Sequence, residues 1–284
     1  MDTMLSCILI LGAVCTQDRQ EEMNLQFEGK VVIVTAGSGG LGKAIAKEFA
    51  AEGATVVVSA RNEARLAEAA DEIATQTGNR PHVHKADVTV EADMVGLVAE
   101  TVKKHGRLDV IVCNSIGPKT APFEDMTDDL WRDALDVKVI AQIRCAREAF
   151  HVMKAQRSGC ILFMAGTHGR QPRTYSVTAG VANAALINAS KVLAETGGPY
   201  NVRANAINPG PIETDRMVYL VKEKAAELSV TEPEAKRVLE DVTVLKRFGQ
   251  PEEVAAAVVF IASDRASFIT GIMFDVDGGQ VQAI

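Results

Sequence analysis

The sequence predicts an α/β protein built on one doubly wound parallel sheet of about seven strands, with helices on both faces. Short apolar runs alternate with segments whose apolar residues recur at helical spacing, from Val31 to Val276. The first run, Val31 to Val34, is apolar at every position, which is typical of a parallel strand buried on both faces. A glycine-rich turn and a helical pattern follow it directly. Strands that alternate with helices form right-handed crossovers, which place the helices on both faces of the sheet.

Composition limits the classes of protein to consider. The chain has 284 residues, 47% hydrophobic and 24% charged, which is enough for one large α/β domain with a substantial core. Its net charge of −7 gives no general electrostatic case for nucleic acid, and no apolar run reaches membrane-spanning length. The five cysteines are scattered without a C-x-x-C pair. We therefore expect a cytoplasmic protein with no metal site, no nucleic-acid partner and no membrane partner.

The N-terminal segment, residues 1–22, is predicted to lie outside the fold. Met4 to Val14 is an apolar stretch of signal-peptide length, but Asp2 stands where a positive charge is expected and no A-x-A site follows. We expect either an upstream extension before a natural start near Met23 or a disordered tail, with a cleaved signal as the alternative. Residues 23–284 are expected to form a single domain.

Strands and helices are predicted in alternation along the domain. The strands are expected at Val31–Val34, Ala54–Ser59, Val83–Lys85, Leu108–Cys113, Cys160–Met164, Val202–Ile207 and Ile272–Val276. The helices are expected at Leu41–Ala50, Glu63–Gln76, Glu91–His105, from Thr127 or Asp128 to about Ala155, at Ala179–Thr196, and from Pro251 to near Ser263. Asn62 is a suitable N-cap, and Gly78 and Gly106 are suitable helix ends. Residues 213–243 are predicted as inserted helices that form a substrate lid, with Met217, Tyr219, Leu220 and Val221 as its adaptable apolar residues; the alternative is that this segment is a dimer contact.

The glycine-rich turn predicts a dinucleotide site. Gly37-Ser-Gly-Gly-Leu-Gly42 satisfies the pattern G-x-G-x-x-G between a strand and a helix. Such a turn aims backbone N–H groups and the helix N-terminus at one point, which suits a diphosphate. The alternative is a glycine-rich turn without a ligand. The residues that we expect to contact the cofactor here are Thr35, Gly37, Ser38, Gly40, Leu41 and Gly42.

The end of the second strand favours NADP(H) over NAD(H). A carboxylate there would accept hydrogen bonds from a ribose 2′-hydroxyl and favour NAD. The strand instead ends Ser59-Ala60-Arg61, and Arg61 can pair with a 2′-phosphate as a permanently charged planar donor. Ser59 and Asn62 are expected to add hydrogen bonds. The alternative is that Arg61 is a solvated residue at a helix start.

Five motifs in register resemble the classical short-chain dehydrogenase/reductase family over about Phe27 to Ile284. They are Thr35-Ala-Gly-Ser-Gly-Gly-Leu-Gly42, Asp87-Val88, Asp109-Val-Ile-Val-Cys-Asn-Ser115, Asn208-Pro-Gly-Pro-Ile-Glu-Thr214 and Asp277-Gly-Gly279. The chain departs from the family at Ala36, which stands at the first glycine, and at the family's N-N-A-G, which is here Cys113-Asn114-Ser115-Ile116. The resemblance implies a Rossmann-type fold, a small-molecule substrate and a homodimer or homotetramer. It implies that Asp87 and Val88 hold the adenine, that Asn114 lines the cleft, and that Pro209, Gly210 and Ile212 meet the nicotinamide.

The catalytic positions differ from the family. The family uses Asn, Ser, Tyr and Lys, and an ungapped comparison places Lys138, Gly166, Ala179 and Asn183 at these positions. No Y-x-x-x-K motif occurs anywhere in the chain. Lys138 and Asn183 have exchanged residue types relative to the family, so the pocket would keep one amine and one amide.

Three further side chains are candidates for the same pocket. Tyr175 lies four residues before Ala179 and shares its helix face if the helix begins early. Thr167 adjoins Gly166 and offers a hydroxyl, and His168 offers an acid near neutral pH. The alternatives are that Lys138 extends out of the cleft, that Tyr175 is a packing residue and that His168 is a surface residue. The catalytic candidates are therefore Lys138, Tyr175, Thr167 and Asn183.

Three functions are compatible with this pattern. The first is an NADP(H)-dependent oxidoreductase that acts on a carbonyl or alcohol substrate with a non-standard active site. The second is a catalytically inactive NADP(H)-binding protein, and the third is a non-redox lyase or isomerase on the same scaffold. We expect the first, because the cofactor motifs are present although the catalytic ones are replaced.

Overall fold

The computed structural model describes residues 25–174 and 176–282, which contain one seven-stranded parallel sheet. The strands are β1 Val31–Thr35, β2 Thr55–Ala60, β3 His82–Lys85, β4 Val110–Cys113, β5 Gly159–Met164, β6 Val202–Pro209 and β7 Met273–Val276. Their order across the sheet is β3-β2-β1-β4-β5-β6-β7. All neighbouring strands are parallel, so the carboxyl ends of the strands share one edge. The predicted doubly wound fold is confirmed.

The connections between the strands are helical. The helices are α1 Gly40–Ala51, α2 Glu63–Thr77, α3 Glu91–His105, α4 Asp128–Leu135, α5 Ala141–Gln156, α6 Val177–Gly197, α7 Asp215–Leu228, α8 Glu232–Glu240 and α9 Pro251–Ala262. Asn62 Oδ1 accepts a hydrogen bond from Arg65 N at 3.0 Å and caps α2 as predicted. Gly78 and Gly106 end their helices in the left-handed conformation, with φ of 74° and 77°.

The core lies on both faces of the sheet, as the apolar strand runs predict. Helices α1, α2 and α9 pack on one face around Phe49, and α3, α5 and α6 pack on the other around Phe163. Alternation along β1 divides its side chains between the two cores: Val32 and Val34 enter the first and Ile33 the second. Burial on both sides fixes the strand ends relative to the helix N-termini, and this positions the cofactor site.

The long helix predicted from residue 128 to about 155 is interrupted. A π-helical turn, Asp136–Ile140, separates α4 from α5. Its Asp136 pairs with Arg144, eight residues further on, at 2.9 Å. Such a turn shifts the backbone hydrogen bonds from i+4 to i+5, and π turns are frequent at functional sites. Here the turn carries Lys138.

The predicted lid consists of α7 and α8. These two helices pack together through a small core of their own, formed by Val221, Ala225, Ala235 and Phe248. Tyr219, expected to be part of an adaptable apolar surface, is 60% exposed, and its hydroxyl donates to Glu223 Oε1 at 2.6 Å. The expectations for residues 1–22 lie outside the residues that the structure describes.

Helix α6 is the longest helix in the described part of the chain. The segment Val177–Tyr200 is long and apolar enough to cross a membrane by length and composition alone. However, Leu186 and Ala194 of this helix are buried in the core beside β6. Helix α6 is thus a core element of the sheet domain.

Candidate active site

The floor of the glycine turn is held by Thr35. Its hydroxyl donates to Asn114 O at 2.6 Å and accepts from Asn114 N at 2.8 Å, which ties the end of β1 to the loop after β4. The side chain is fully buried. The side chain of Thr35 therefore supports the turn from the interior of the protein. It does not line the cleft, although we expected Thr35 to contact the cofactor.

The turn itself has no room for side chains at two of its glycines. A Cβ on Gly42 would collide with Ala36 O, and a Cβ on Gly37 would lie 3.0 Å from Val58. Gly40 has a φ of +51° and begins α1, and the N-cap residue Gly39 forms no side-chain cap. The first N–H groups of α1 are thus left for a ligand. Such a cradle fits the diphosphate of a dinucleotide.

Two further predicted residues complete the turn. Ser38 is half-buried and lines the cavities on both sides of the turn. Leu41 is also half-buried and packs against the first core rather than into the cleft. Ala36, which stands at the family's first glycine, has a φ of +51°. Since that backbone region is unfavourable for residues other than glycine, Ala36 holds the turn in a strained conformation.

A cavity of about 270 Å³ lies beside the turn, at the ends of β2, β3 and β4. Its walls include Arg61, Asn62, Asp87 and Val88, which matches the predicted site for the adenosine half of the cofactor. Burial acts to raise the pKa of Asp87, but hydrogen bonds from Thr89 and the charge of Arg61 outweigh it and the pKa is lowered. Asp87 is therefore an ionised hydrogen-bond acceptor in this cavity at neutral pH.

Two guanidinium groups face this cavity. Arg61 is exposed, and Arg65, one helical turn further along α2, lines the same cavity. Within the described part of the chain, neither side chain forms an ion pair or donates a hydrogen bond. Arg65 was not predicted, although its place in the first turn of α2, directly after the strand end that carries Arg61, is the signal that could have found it. By contrast, Ser59 is fully buried and does not line the cavity.

The residues expected to meet the nicotinamide lie at and after the end of β6. Gly210 leaves no room for a side chain, because a Cβ there would lie 2.7 Å from Asp277 Cα. Pro209 is half-buried and Ile212 is buried. Thr214, which was not predicted, lies opposite the glycine turn, with Cγ2 3.7 Å from a Cβ placed on Gly40. Thr214 is the last residue of the motif that begins at Asn208, and this position is the signal that could have predicted it.

Lys138 is buried at the carboxyl end of β5. Only 7% of the residue is exposed, and Nζ donates to Met164 O at 2.7 Å and to Ala165 O at 3.3 Å. The amine therefore stays inside the cleft and does not extend into solvent. Burial, and then the positive charge of Arg216, lower the pKa of Lys138 to about 8.

Gln142 helps to fix the carbonyl that Lys138 contacts. Its Nε2 donates to Met164 O at 3.0 Å and to Ser115 Oγ at 3.2 Å, and its Oε1 accepts from Met164 N at 3.1 Å. The residue is fully buried. Gln142 was not predicted, although it lies one helical turn after Lys138.

Asn183 fills the space beside Gly166. A Cβ on Gly166 would lie 2.8 Å from Asn183 Nδ2, so the amide occupies the volume that a serine side chain would need. Asn183 Oδ1 is buried and accepts no hydrogen bond from any described residue. Lys138 and Asn183 thus both reach the segment from residue 164 to residue 166. Ala179, one turn earlier on α6, is half-buried and offers no polar group.

The other candidates for the catalytic pocket are Thr167, His168 and Tyr175. Thr167 is buried and its hydroxyl donates to Gln280 Oε1 at 3.2 Å. His168 Nδ1 lies 2.6 Å from Ser176 Oγ, and burial and then Arg173 lower the pKa of its imidazole. His168 is therefore neutral near pH 7, so it does not serve as the acid considered from the sequence. Tyr175 lies outside the residues that the structure describes.

Comparison with known proteins identifies the family. A family model described as enoyl-(acyl carrier protein) reductase matches residues 35–280. The chain is 35% identical over 256 residues to a probable 2,4-dienoyl-CoA reductase of Bacillus subtilis, covering 89% of this chain and 97% of that protein. It is 33% identical over 257 residues to human dehydrogenase/reductase SDR family member 4, covering 88% and 87%. The chain belongs to the short-chain dehydrogenase/reductase family.

Solved structures of short-chain dehydrogenases/reductases have the same fold. L-Sorbose reductase from Gluconobacter frateurii, solved with NADPH and L-sorbose, superimposes with a TM-score of 0.87 at 32% identity, covering 92% of this chain and 100% of that chain. A 7α-hydroxysteroid dehydrogenase solved with NADH and a bile acid derivative gives 0.82 at 31% identity, covering 92% and 97%. These neighbours support an oxidoreductase of the short-chain dehydrogenase/reductase type.

Proposed function

We propose that the chain transfers a hydride between NADP(H) and a carbonyl or alcohol group, with Lys138 in place of the missing tyrosine and lysine. The buried amine carries this proposal. A lysine ammonium has three N–H groups, and the carbonyls of Met164 and Ala165 accept two of them. The third is left for a substrate oxygen. Bound nicotinamide would supply the hydride chemistry.

The protonation state of Lys138 suits this role. With a pKa of about 8, the amine is mostly protonated at pH 7 and yet acidic enough to give up its proton near neutral pH. Burial of the charge also strengthens its interaction with an oxygen that develops negative charge during reduction. Lys138 would stabilise this oxygen and then donate the proton that completes the alcohol.

The side-chain amide of Asn183, beside Gly166, is the second polar group that we propose for this site. Asn183 Nδ2 fills the position next to Gly166, and its buried Oδ1 has an unused acceptor site. Leaving a buried acceptor unsatisfied costs about 1–3 kcal/mol, so we propose that Oδ1 accepts a hydrogen bond from an ordered water or from the substrate.

NADP(H) is the proposed form of the cofactor. Arg61 and Arg65 face the adenosine cavity without ion pairs to described residues, and β2 ends at Ala60 without a carboxylate. A 2′-phosphate would pair with these guanidinium groups. Asn62 Oδ1 caps α2, which leaves Nδ2 as the group that can donate to the phosphate.

A titration with both cofactors tests this preference. We expect NADPH to bind more tightly than NADH, because a charged hydrogen bond is worth about 1.5–3 kcal/mol, or about ten- to a hundredfold in affinity. Arg61→Ala should remove most of the preference. Arg80→Ala is the matched control, because Arg80 pairs with Asp71 at the far end of α2. Equal affinities, or an Arg61→Ala variant with full discrimination, would contradict the assignment.

Label transfer distinguishes the proposed activity from its alternatives. The replaced catalytic positions, including Gly166 and Ala179, favour a second candidate, a protein that binds NADP(H) without catalysis. NADPH deuterated at C4 should transfer deuterium to some member of a panel of aldehydes, ketones and enones if our proposal holds. Tight NADPH binding without transfer would favour the inactive protein. Turnover of substrate without cofactor oxidation would favour a lyase or isomerase.

We further propose a single domain, a homo-oligomer and a cytoplasmic location. Ile140, Val181 and Val192 expose apolar side chains on the connection before α5 and on α6, where a second copy could cover them. Cys113, Cys145 and Cys160 are free and buried, which is compatible with a reducing compartment.

A further inference from the structure

Arg216 reaches from the lid to the loop after β4. It lies in the first turn of α7, and its guanidinium rests against Gly117. A Cβ on Gly117 would lie 2.7 Å from the guanidinium carbon, so the guanidinium can approach only because residue 117 is glycine. The same charge contributes to the low pKa of Lys138. Two residues before Gly117 in the same loop, Ser115 accepts a hydrogen bond from Gln142 at 3.2 Å, and Gln142 and Lys138 both donate to Met164 O. Arg216 therefore contacts a loop that adjoins the proposed site of reduction.

No described carboxylate neutralises Arg216. It forms no ion pair or hydrogen bond within residues 25–174 and 176–282, and it remains exposed. The carboxylates that precede it in the same segment are Glu213, which pairs with Lys236 at 3.3 Å, and Asp215, which is exposed and forms no ion pair with Arg216. In a chain with a net charge of −7, an unpaired arginine beside a buried lysine is a local excess of positive charge.

We infer that Arg216 binds a carboxylate of the substrate, so that the substrates are oxo acids and the corresponding hydroxy acids. This inference rests on the proposed function, because it identifies the substrate class of the same site. A guanidinium pairs with a carboxylate through two parallel hydrogen bonds, and this orients the molecule as well as binding it. The second cation, Lys138, already donates hydrogen bonds to two backbone carbonyls. The guanidinium of Arg216 is therefore the cation that remains to bind one substrate carboxylate.

The diphosphate of the cofactor is the other anion that Arg216 could meet. The glycine turn and the N-terminus of α1 already provide donors for that group, and Thr214 lies opposite them. Arg216 instead contacts Gly117, in the loop whose Ser115 accepts a hydrogen bond from Gln142. We therefore assign its guanidinium to the substrate, and the experiment includes a measurement of NADPH affinity.

Binding of inert acids to the NADPH-loaded protein tests the inference without any turnover. The probes are acetate, butanoate, benzoate and phenylacetate, each compared with its primary amide by calorimetry. At least one acid should bind at least about tenfold more tightly than its amide, and Arg216→Gln should abolish that difference. Gly117→Ala should reduce it as well, because the added methyl group displaces the guanidinium.

Lys222→Gln is the matched control. Lys222 is an exposed cation of α7 for which the structure shows no ion pair, so this variant should keep the preference for acids. Equal binding of acids and amides to the wild-type protein would overturn the inference, as would an Arg216→Gln variant that retains the preference. A tenfold or larger loss of NADPH affinity in Arg216→Gln would also overturn it. Failure of deuterium transfer would instead contradict the proposed function and leave this binding result unaffected.

Discussion

Replacing Lys138 with methionine should stabilise the fold at neutral pH. The structure buries the ammonium and lowers its pKa from 10.5 to about 8, which corresponds to on the order of 3 kcal/mol of unfavourable free energy. Methionine keeps the length of the side chain without the charge. Met164 O retains its hydrogen bond from Gln142 at 3.0 Å, so Ala165 O is the carbonyl that loses a donor. That loss costs about 1–3 kcal/mol, which leaves a net gain of about 1 kcal/mol.

The gain should depend on pH with a definite sign. The folded-state pKa of about 8 lies below the unfolded value of 10.5, so the unfolded wild-type chain binds more protons between these values. Wild-type stability therefore rises as pH increases through this window, and the Lys138→Met variant lacks this rise. The difference between the two proteins should be largest at pH 7 and should shrink towards pH 10.

Urea unfolding at pH 7 and at pH 10 measures the effect. Lys103→Met is the control, because Lys103 is exposed on α3 and its replacement should change stability little at either pH. A Lys138→Met variant that is less stable than the wild type by the same amount at both pH values would refute the reasoning. It would mean that the lysine contributes packing and hydrogen bonds without a penalty for its buried charge.

Three further predictions concern the turn, the cleft and the assembly. Ala36→Gly should raise the free energy of unfolding by about 1 kcal/mol, because glycine adopts a φ of +51° without strain. The control Ala67→Gly, inside α2, should lower the free energy of unfolding by a similar amount. Urea unfolding measures both changes. Gly166→Ser should destabilise the fold because its Cβ would lie 2.8 Å from Asn183 Nδ2. The added change Asn183→Ala should recover part of that loss; no recovery in a double-mutant cycle would contradict the contact. Light scattering at micromolar concentration should show a homo-oligomer, and a monomer would contradict the proposed assembly.

Much of the fold could be predicted from local pattern. Strand runs that are buried on both faces leave an unbroken apolar signal, and Gly78 and Gly106 mark helix ends because glycine adopts the left-handed conformation at low cost. The π-helical turn at Asp136–Ile140 could not be predicted in this way. A single shifted hydrogen bond hardly changes the spacing of apolar residues, so the segment resembled one continuous helix.

The sequence predicts which residues lie at the strand ends and in the glycine turn. It predicts less well which of their side chains point into the cleft. Ser59 and Thr35 lie at the expected strand ends, but alternation along each strand turns their side chains into the interior. His168 is neutral because of its burial, which its place in a loop does not reveal. The contact of Arg216 with Gly117 depends on the orientation of α7, a long-range contact that no local motif encodes.

The most direct test of the proposed role of Lys138 is the kcat/KM of NADPH-dependent reduction in Lys138→Met. We expect a loss of at least about tenfold at pH 7, roughly 1.4 kcal/mol of transition-state stabilisation, with unchanged NADPH affinity. Wild-type activity should fall as pH rises through about 8, the pKa of the amine, and the variant should lack this step. A Lys138→Met variant with wild-type kcat/KM and the same pH profile would contradict the account.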